Sequence, residues 1–282
     1  MTAKQPLLLL HGLMMSAGVW ADVIPLLASR HDLIAPTALG HRGGQTLKCR
    51  ATVATLTDET ERLLDARGLD RIHIAGNSMG GWMAIELARR GRALSVFAFS
   101  PAGFWTHGTS DETNASNKIR RARRRVQLVR PVAPRLLRFA YLRRMAMQDA
   151  ADHGERLTPA QALDALLDVA GCAAAEDMLQ PSESVEPLDP LPCPITLAWS
   201  GNDRILPPHV YGTTARERLP GAEYLLLPDV GHVPMIDNPR LCADTILATT
   251  RALAAAPRLR AFSGRVGAVS TEMPDASGSA GR

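Results

Sequence analysis

Ile72-His73-Ile74-Ala75-Gly76-Asn77-Ser78-Met79-Gly80-Gly81-Trp82 is the stretch whose reading decides the fold. Its first residues form an apolar run of the kind a strand buried on both faces requires. Its last residues open an apolar helix, expected over Gly80–Arg90 and closed by Gly91. Between them stands a G-x-S-x-G pentapeptide. A serine on so abrupt a strand-to-helix turn sits under backbone strain. A side chain at either flanking position would crowd the neighbouring strand or helix, so both are glycine. The helix that follows offers free N–H groups and a positive dipole end beside the serine. The pentapeptide alone is a weak signal; strand before and helix after make it specific.

Working outward, strand and helix signals alternate. Strands are expected at Leu7–Leu10, His31–Ala35, Arg71–Ala75, Leu94–Phe99, Ile195–Trp199 and Glu223–Leu227. Further helices are expected at Val53–Arg67, His209–Leu219 and Pro239–Ala254. This alternation predicts a parallel sheet with helices on both faces. The segment from Gly103 to Pro192 breaks the rhythm: it has no clear strand and carries Arg, Ala and Leu at helical spacing. The expected organisation is therefore a core of 1–102 and 193–256, a helical insertion of 103–192, and a flexible tail of 257–282 rich in Gly, Ser, Ala and Arg.

The bulk numbers narrow the function classes. A length of 282 residues suits one large α/β domain with an inserted subdomain. A net charge of +4 is mild for that size and does not indicate a nucleic-acid partner. Cys49, Cys172, Cys193 and Cys242 are scattered, with no metal-ligand spacing, and read as free thiols of a reducing compartment. The apolar run near the start is too short for a signal segment or a membrane span. The expectation is a cytoplasmic protein that acts on a small molecule, without metal or cofactor.

A serine hydroxyl is a poor nucleophile until a base takes its proton. His232, in Leu227-Pro-Asp-Val-Gly-His232-Val-Pro234, follows the last strand and is the candidate base. An imidazole needs a buried carboxylate to fix its tautomer and stabilise its charged form. Asp203, after the fifth strand, suits that role. Asp229 is only three residues from His232, too close along one loop to reach Nδ1 from behind. All three candidates stand at carboxyl ends of expected parallel strands, where open α/β sheets build their sites.

The order Ser78, Asp203, His232 and the elbow around the serine resemble the α/β-hydrolase superfamily, across roughly residues 6–255. Leu7-Leu-Leu-Leu-His11-Gly12-Leu13-Met14 is similar to the family's HG loop. Trp20 matches its usual downstream aromatic, and Gly40-His41-Arg42-Gly43-Gly44 its next glycine-rich loop. The resemblance implies an oxyanion hole made by the backbone N–H of Met79 and that of Leu13, with Met14 as the alternative. It also implies a substrate site lined by Met14, Trp105 and Val233. Only about five residues precede the HG strand, so the expected sheet is a six-stranded, all-parallel, doubly wound one without the first two family strands. Thr37 stands where relatives often carry an aspartate, and a structural effect is expected there.

The family often inserts a helical cap at the place of Gly103–Pro192, which would roof the pocket. Pro131, Pro134 and Pro159 divide it into about four short helices, with one start signalled by Thr158-Pro159-Ala-Gln161. From Lys118 to Arg144 eleven cationic residues occur with no acidic one. Solvated faces, an anionic membrane surface, an acidic carrier protein and a phosphate-bearing acyl donor are all readings of that run. The interleaved Ile119, Val126, Leu128, Leu137, Phe139 and Met145 suggest an apolar underside facing the pocket. The function implied is hydrolysis of a carboxylic ester or thioester through an acyl-serine intermediate. Carbon–carbon bond hydrolysis, cofactor-free perhydrolysis, acyl transfer to an alcohol and non-catalytic ligand binding are the alternatives. Serine at the elbow argues against the haloalkane dehalogenases and epoxide hydrolases of the same fold, which use an aspartate there.

Overall fold

The computed structural model describes residues 4–106, 110–180 and 183–255, without the side chains of 110–112 and 251–255. The expected tail, 257–282, lies outside the described residues. In chain order the first half runs β1 (Gln5–Leu10), α1 (Ile24–Leu27), β2 (His31–Ile34), α2 (Val53–Ala66), β3 (Ile72–Asn77), α3 (Met79–Arg89) and β4 (Ala93–Phe99). A helical insertion follows: α4 (Ser110–Val129), α5 (Ala133–Leu136), α6 (Ala140–Met147), α7 (Pro159–Gly171) and α8 (Ala175–Met178). The chain then completes the core with β5 (Ile195–Ser200), α9 (Pro208–Arg218), β6 (Glu223–Leu227), α10 (Pro234–Asp237) and α11 (Pro239–Ala255).

The six strands form one parallel sheet in the order β2-β1-β3-β4-β5-β6, the sheet expected from the sequence. Strand alternation sorts the apolar side chains into two layers. Leu8, Leu10, Ile72, Ile74, Val96 and Leu197 face α2, α3 and α9 on one side. Leu7, Leu9, Ala75, Phe97 and Ala198 face Trp20, α1 and α11 on the other. A core leucine or isoleucine of this kind contributes about 2 kcal/mol by burial. The register aligns Leu10 with Gly76, Asn77 with Phe99, and Ser200 with Leu227. The loops after β1, β3, β5 and β6 therefore leave the same edge of the sheet.

The insertion differs from expectation in two ways. Its first helix, α4, is 20 residues long and not one of several short pieces. Its apolar residues also do not all turn inward. Leu137 is buried, but Leu128, Phe139 and Met145 are exposed, Leu128 to 80% and Phe139 to 61%. The physical reason is the shortage of partners: α5 packs on α7 through Ala133 and Leu137 against Ala162 and Leu166, and that small cluster leaves the outer faces of α4 and α6 uncovered. The start of α7 is as expected, with a reciprocal capping box between Thr158 and Gln161. Among the described residues no helix is long and apolar enough to cross a membrane.

Candidate active site

Ser78 lies between β3 and α3 with φ 55° and ψ −116°, a conformation that a non-glycine residue holds only under strain of about 1–3 kcal/mol. Neighbours enforce it. The Ser78 N–H donates to Phe99 O (2.9 Å), and Ser78 O accepts from Ala102 N–H (3.0 Å) and Trp82 N–H (3.1 Å). A Cβ on Gly76 would stand 2.2 Å from Gly80 O, and one on Gly80 2.4 Å from Leu10 O. The two glycines are thus a steric condition of the turn. Met79 is the first residue of α3, so its N–H has no acceptor within the helix.

The loop after β1 runs against the serine: a Cβ on Gly12 would be 3.3 Å from Ser78 Cβ. His11 fixes that loop. Its Nε2 accepts the N–H of Ala38 (2.9 Å), so its Nδ1 carries the hydrogen and donates to Gly12 O (2.8 Å). Burial, helped by the neighbouring His41, pushes the His11 pKa down to about 3 and keeps the ring neutral. Ser16 ties the same loop to the insertion, donating to Asp168 Oδ2 (2.6 Å), while Arg42 Nε donates to Oδ1 of that carboxylate (2.6 Å).

Asp203 and His232 are both buried and in contact, His232 Nδ1 donating to Asp203 Oδ2 at 2.7 Å. The other oxygen, Oδ1, accepts the backbone N–H groups of Ile205 (2.9 Å) and Leu206 (2.7 Å). The carboxylate is therefore held at both ends, and the imidazole presents Nε2 away from it. Ser78 is half-buried. Among the described residues no hydrogen bond joins its hydroxyl to His232.

Two residues that the sequence did not single out hold the histidine loop. Asn77, fully buried, donates from Nδ2 to His232 O (2.9 Å) and to Phe99 O (3.2 Å). Asp237, also fully buried, accepts from Gly231 N–H (2.7 Å), Asp152 N–H (3.1 Å) and His153 N–H (2.7 Å). Val233 N–H donates to Ala150 O (2.8 Å) beside this clamp. The loop bearing His232 is thus bound to the elbow on one side and to residues 150–153 of the insertion on the other.

The remaining expected site residues are placed as follows. Leu13 is half-buried at the HG loop. Met14 is buried with φ 61°. Burial pushes the thiol of Cys172, in the insertion, up to about 11. Trp105 stacks edge-on against Trp82 (5.3 Å between centroids) and donates to Glu183 O (3.2 Å). The Val233 side chain is buried and belongs to the apolar layer with Leu7, Leu9 and Trp20. Asp229 is exposed with φ 54° and is not the partner of His232. Thr37 Oγ1 accepts the Ala17 N–H (3.2 Å) and so ties two loops together. A cavity of about 90 Å³ lies behind His11, lined by Thr37, Glu59, Thr60 and Met83; neither Ser78 nor His232 reaches it.

This sheet order, with the serine turn and the Asp–His pair at one edge, is that of a hydrolase. The chain belongs to the alpha/beta hydrolase family, whose model matches residues 7–245. Epoxide hydrolase EphH of Mycobacterium tuberculosis is 31% identical over 190 residues, covering 66% of this chain and 89% of that protein. The pimeloyl-[acyl-carrier protein] methyl ester esterase of Nitrosomonas europaea is 29% identical over 251 residues, covering 83% of this chain and 90% of that one. Among solved structures, a thermophilic esterase from Thermogutta terrifontis superposes with a TM-score of 0.67 at 24% identity, covering 89% of this chain and 91% of its own. At that identity the likeness is one of fold.

Proposed function

We propose that the chain is a serine hydrolase that cleaves a carboxylic ester or thioester through an acyl-serine intermediate. The observation that carries this reading is the doubly anchored Asp203, at 2.7 Å from His232 Nδ1, beside a strained serine at a helix N-terminus. Asp203 keeps the proton of His232 on Nδ1, which leaves Nε2 free to accept. The proposed step requires the Ser78 hydroxyl to meet that nitrogen. Ser78 Oγ attacks the carbonyl carbon as its proton passes to Nε2, and the oxyanion meets the N–H of Met79. Leu13, on the loop that runs against Ser78, is the second donor, with Met14 as the alternative. His232 then protonates the leaving alkoxide or thiolate, and water, activated by the same imidazole, hydrolyses the acyl-enzyme. The insertion, held to the HG loop by Asp168 and to the histidine loop by Asp237, acts as the cap over the substrate.

A second reading, epoxide hydrolysis, is favoured by the name of the relative that is 31% identical. Epoxide hydrolases of this fold are expected to open the ring with an elbow aspartate, and position 78 is serine. The test is turnover of p-nitrophenyl esters from acetate to octanoate, an acyl-CoA and styrene oxide by the wild type and Ser78→Ala. Ester or thioester cleavage that falls at least a thousandfold in Ser78→Ala supports the proposal. Epoxide opening that survives the substitution, with no ester cleavage, contradicts it.

A further inference from the structure

We propose that the outer face of α4, α5 and α6 docks the protein onto an anionic membrane surface. The inference stands on this surface alone and does not depend on the reaction read for Ser78. On α4, Arg121, Arg124, Arg125 and Leu128 recur at i, i+3, i+4 and i+7, and all four are exposed. On α6, Tyr141, Arg144 and Met145 repeat the pattern at i, i+3 and i+4, again all exposed. Between the two helices Val132, Arg135, Arg138 and Phe139 are exposed as well. Each outer face thus presents cations and large apolar side chains together.

The apex is preshaped. Arg143, alone buried among these arginines, donates to Leu137 O (2.9 Å), Arg138 O (3.1 Å) and Glu155 O (3.2 Å), which locks the turn between α5 and α6. Most of the exposed arginines have no carboxylate partner; Arg125 is within 3.9 Å of Asp149. In the core, Arg89, Arg90 and Arg92 all hold carboxylates. At the apex the side chains of Arg121, Arg124, Arg130, Arg135 and Arg138 make no ion pair or hydrogen bond among the described residues. Ordinary solvated arginines cover apolar surface with their stems. Here the apolar groups themselves protrude: Leu128 is 80% exposed, Tyr141 70% and Phe139 61%.

Charge complementarity selects the partner. The chain carries +4 in all, and seven exposed arginines (Arg121, Arg124, Arg125, Arg130, Arg135, Arg138 and Arg144) lie on this face, so without them it would carry −3. An anionic surface attracts this one face and repels the rest, which fixes the orientation. An acidic protein would satisfy the arginines but has no need of protruding leucine and aromatic groups. A membrane interface satisfies both, with headgroup charge above and acyl chains below.

The test is co-sedimentation of the purified full chain with phosphatidylcholine vesicles and with vesicles containing about one-third phosphatidylglycerol, at low and high salt. Tight binding to the anionic vesicles only, weakened by salt, is expected. Each arginine near the surface contributes about a fivefold factor, so the variant Arg121→Gln/Arg124→Gln/Arg135→Gln/Arg138→Gln binds at least a hundredfold more weakly. Phe139→Trp emission shifts to the blue on anionic vesicles, and Leu128→Ser/Phe139→Ser binds about tenfold more weakly. Unchanged melting and soluble-ester turnover show that the variants fold. No vesicle binding, equal binding to neutral vesicles, or a quadruple variant that binds like the wild type overturns the proposal. Binding without a blue shift also overturns it and points to a soluble polyanion such as an acidic protein.

Discussion

Asparagine at position 203 separates the tautomer role of the carboxylate from its structural role. Asp203 makes three hydrogen bonds: Oδ1 takes two backbone N–H groups, from Ile205 and Leu206, and Oδ2 takes His232 Nδ1. An asparagine that keeps its carbonyl at Oδ1 retains two of them. The flipped amide would lose both and face two donors with a third, at a cost of about 1–3 kcal/mol for each buried bond. The orientation is therefore set, and the NH2 group points at His232. It donates to Nδ1, the ring hydrogen moves to Nε2, and the imidazole cannot accept the Ser78 proton. For the proposed mechanism kcat for a soluble ester falls by about 10⁴, or about 5.4 kcal/mol of transition-state stabilisation. All three bonds are kept and lose only their charge assistance, so the melting temperature moves by no more than about 6 °C. Steady-state hydrolysis of p-nitrophenyl acetate and a circular-dichroism melt read the two effects. A kcat within tenfold of wild type, in a protein with an unchanged melt, would refute the assignment of Asp203.

Three further outcomes follow from the same geometry. Asp237→Ala strands the N–H groups of Gly231, Asp152 and His153. It should lower stability by about 3–5 kcal/mol and the melting temperature by roughly 10 °C, and a melt near the wild type would deny the clamp. His11 has a folded pKa of about 3, below its unfolded value of 6.5, so the unfolded state binds the proton first as pH falls. Its contribution is complete above pH 6.5 and shrinks toward pH 3. Urea titrations should show about 2 kcal/mol lost between pH 6.5 and 5 on this account, and less in His11→Gln; equal losses would contradict it. Gly76→Ala places a methyl 2.2 Å from Gly80 O and should abolish soluble expression. A soluble, active variant would mean that the elbow can relax.

The strands and the elbow were legible in the sequence because their requirements are local. A parallel strand buried on both faces must read as an unbroken apolar run, as Leu7–Leu10 does. The serine turn must have glycine where neighbouring backbone leaves no room for a Cβ. Asp203 was legible through its place after β5 and Asp229 could be set aside by loop length. Asn77 and Asp237 were not legible, because their value lies in donors and acceptors far along the chain: His232 O for one, Asp152 and His153 N–H for the other. The Val-Pro-Met-Ile-Asp237 sequence carried one hint, a lone carboxylate inside an apolar turn. The face of the insertion was misread for a different reason. Helical period shows which residues share a side, but only packing partners decide which side is covered. Here α7 covers Ala133 and Leu137, and Leu128 and Phe139 remain outside.

The central claim is that Ser78 is the covalent nucleophile. Intact-protein and peptide mass spectrometry after reaction with a fluorophosphonate tests it most directly. The account predicts one phosphonate adduct on the wild type, located at Ser78, absent from Ser78→Ala and strongly slowed in Asp203→Asn. A wild type that stays unlabelled, or an adduct on another residue that persists in Ser78→Ala, would contradict it.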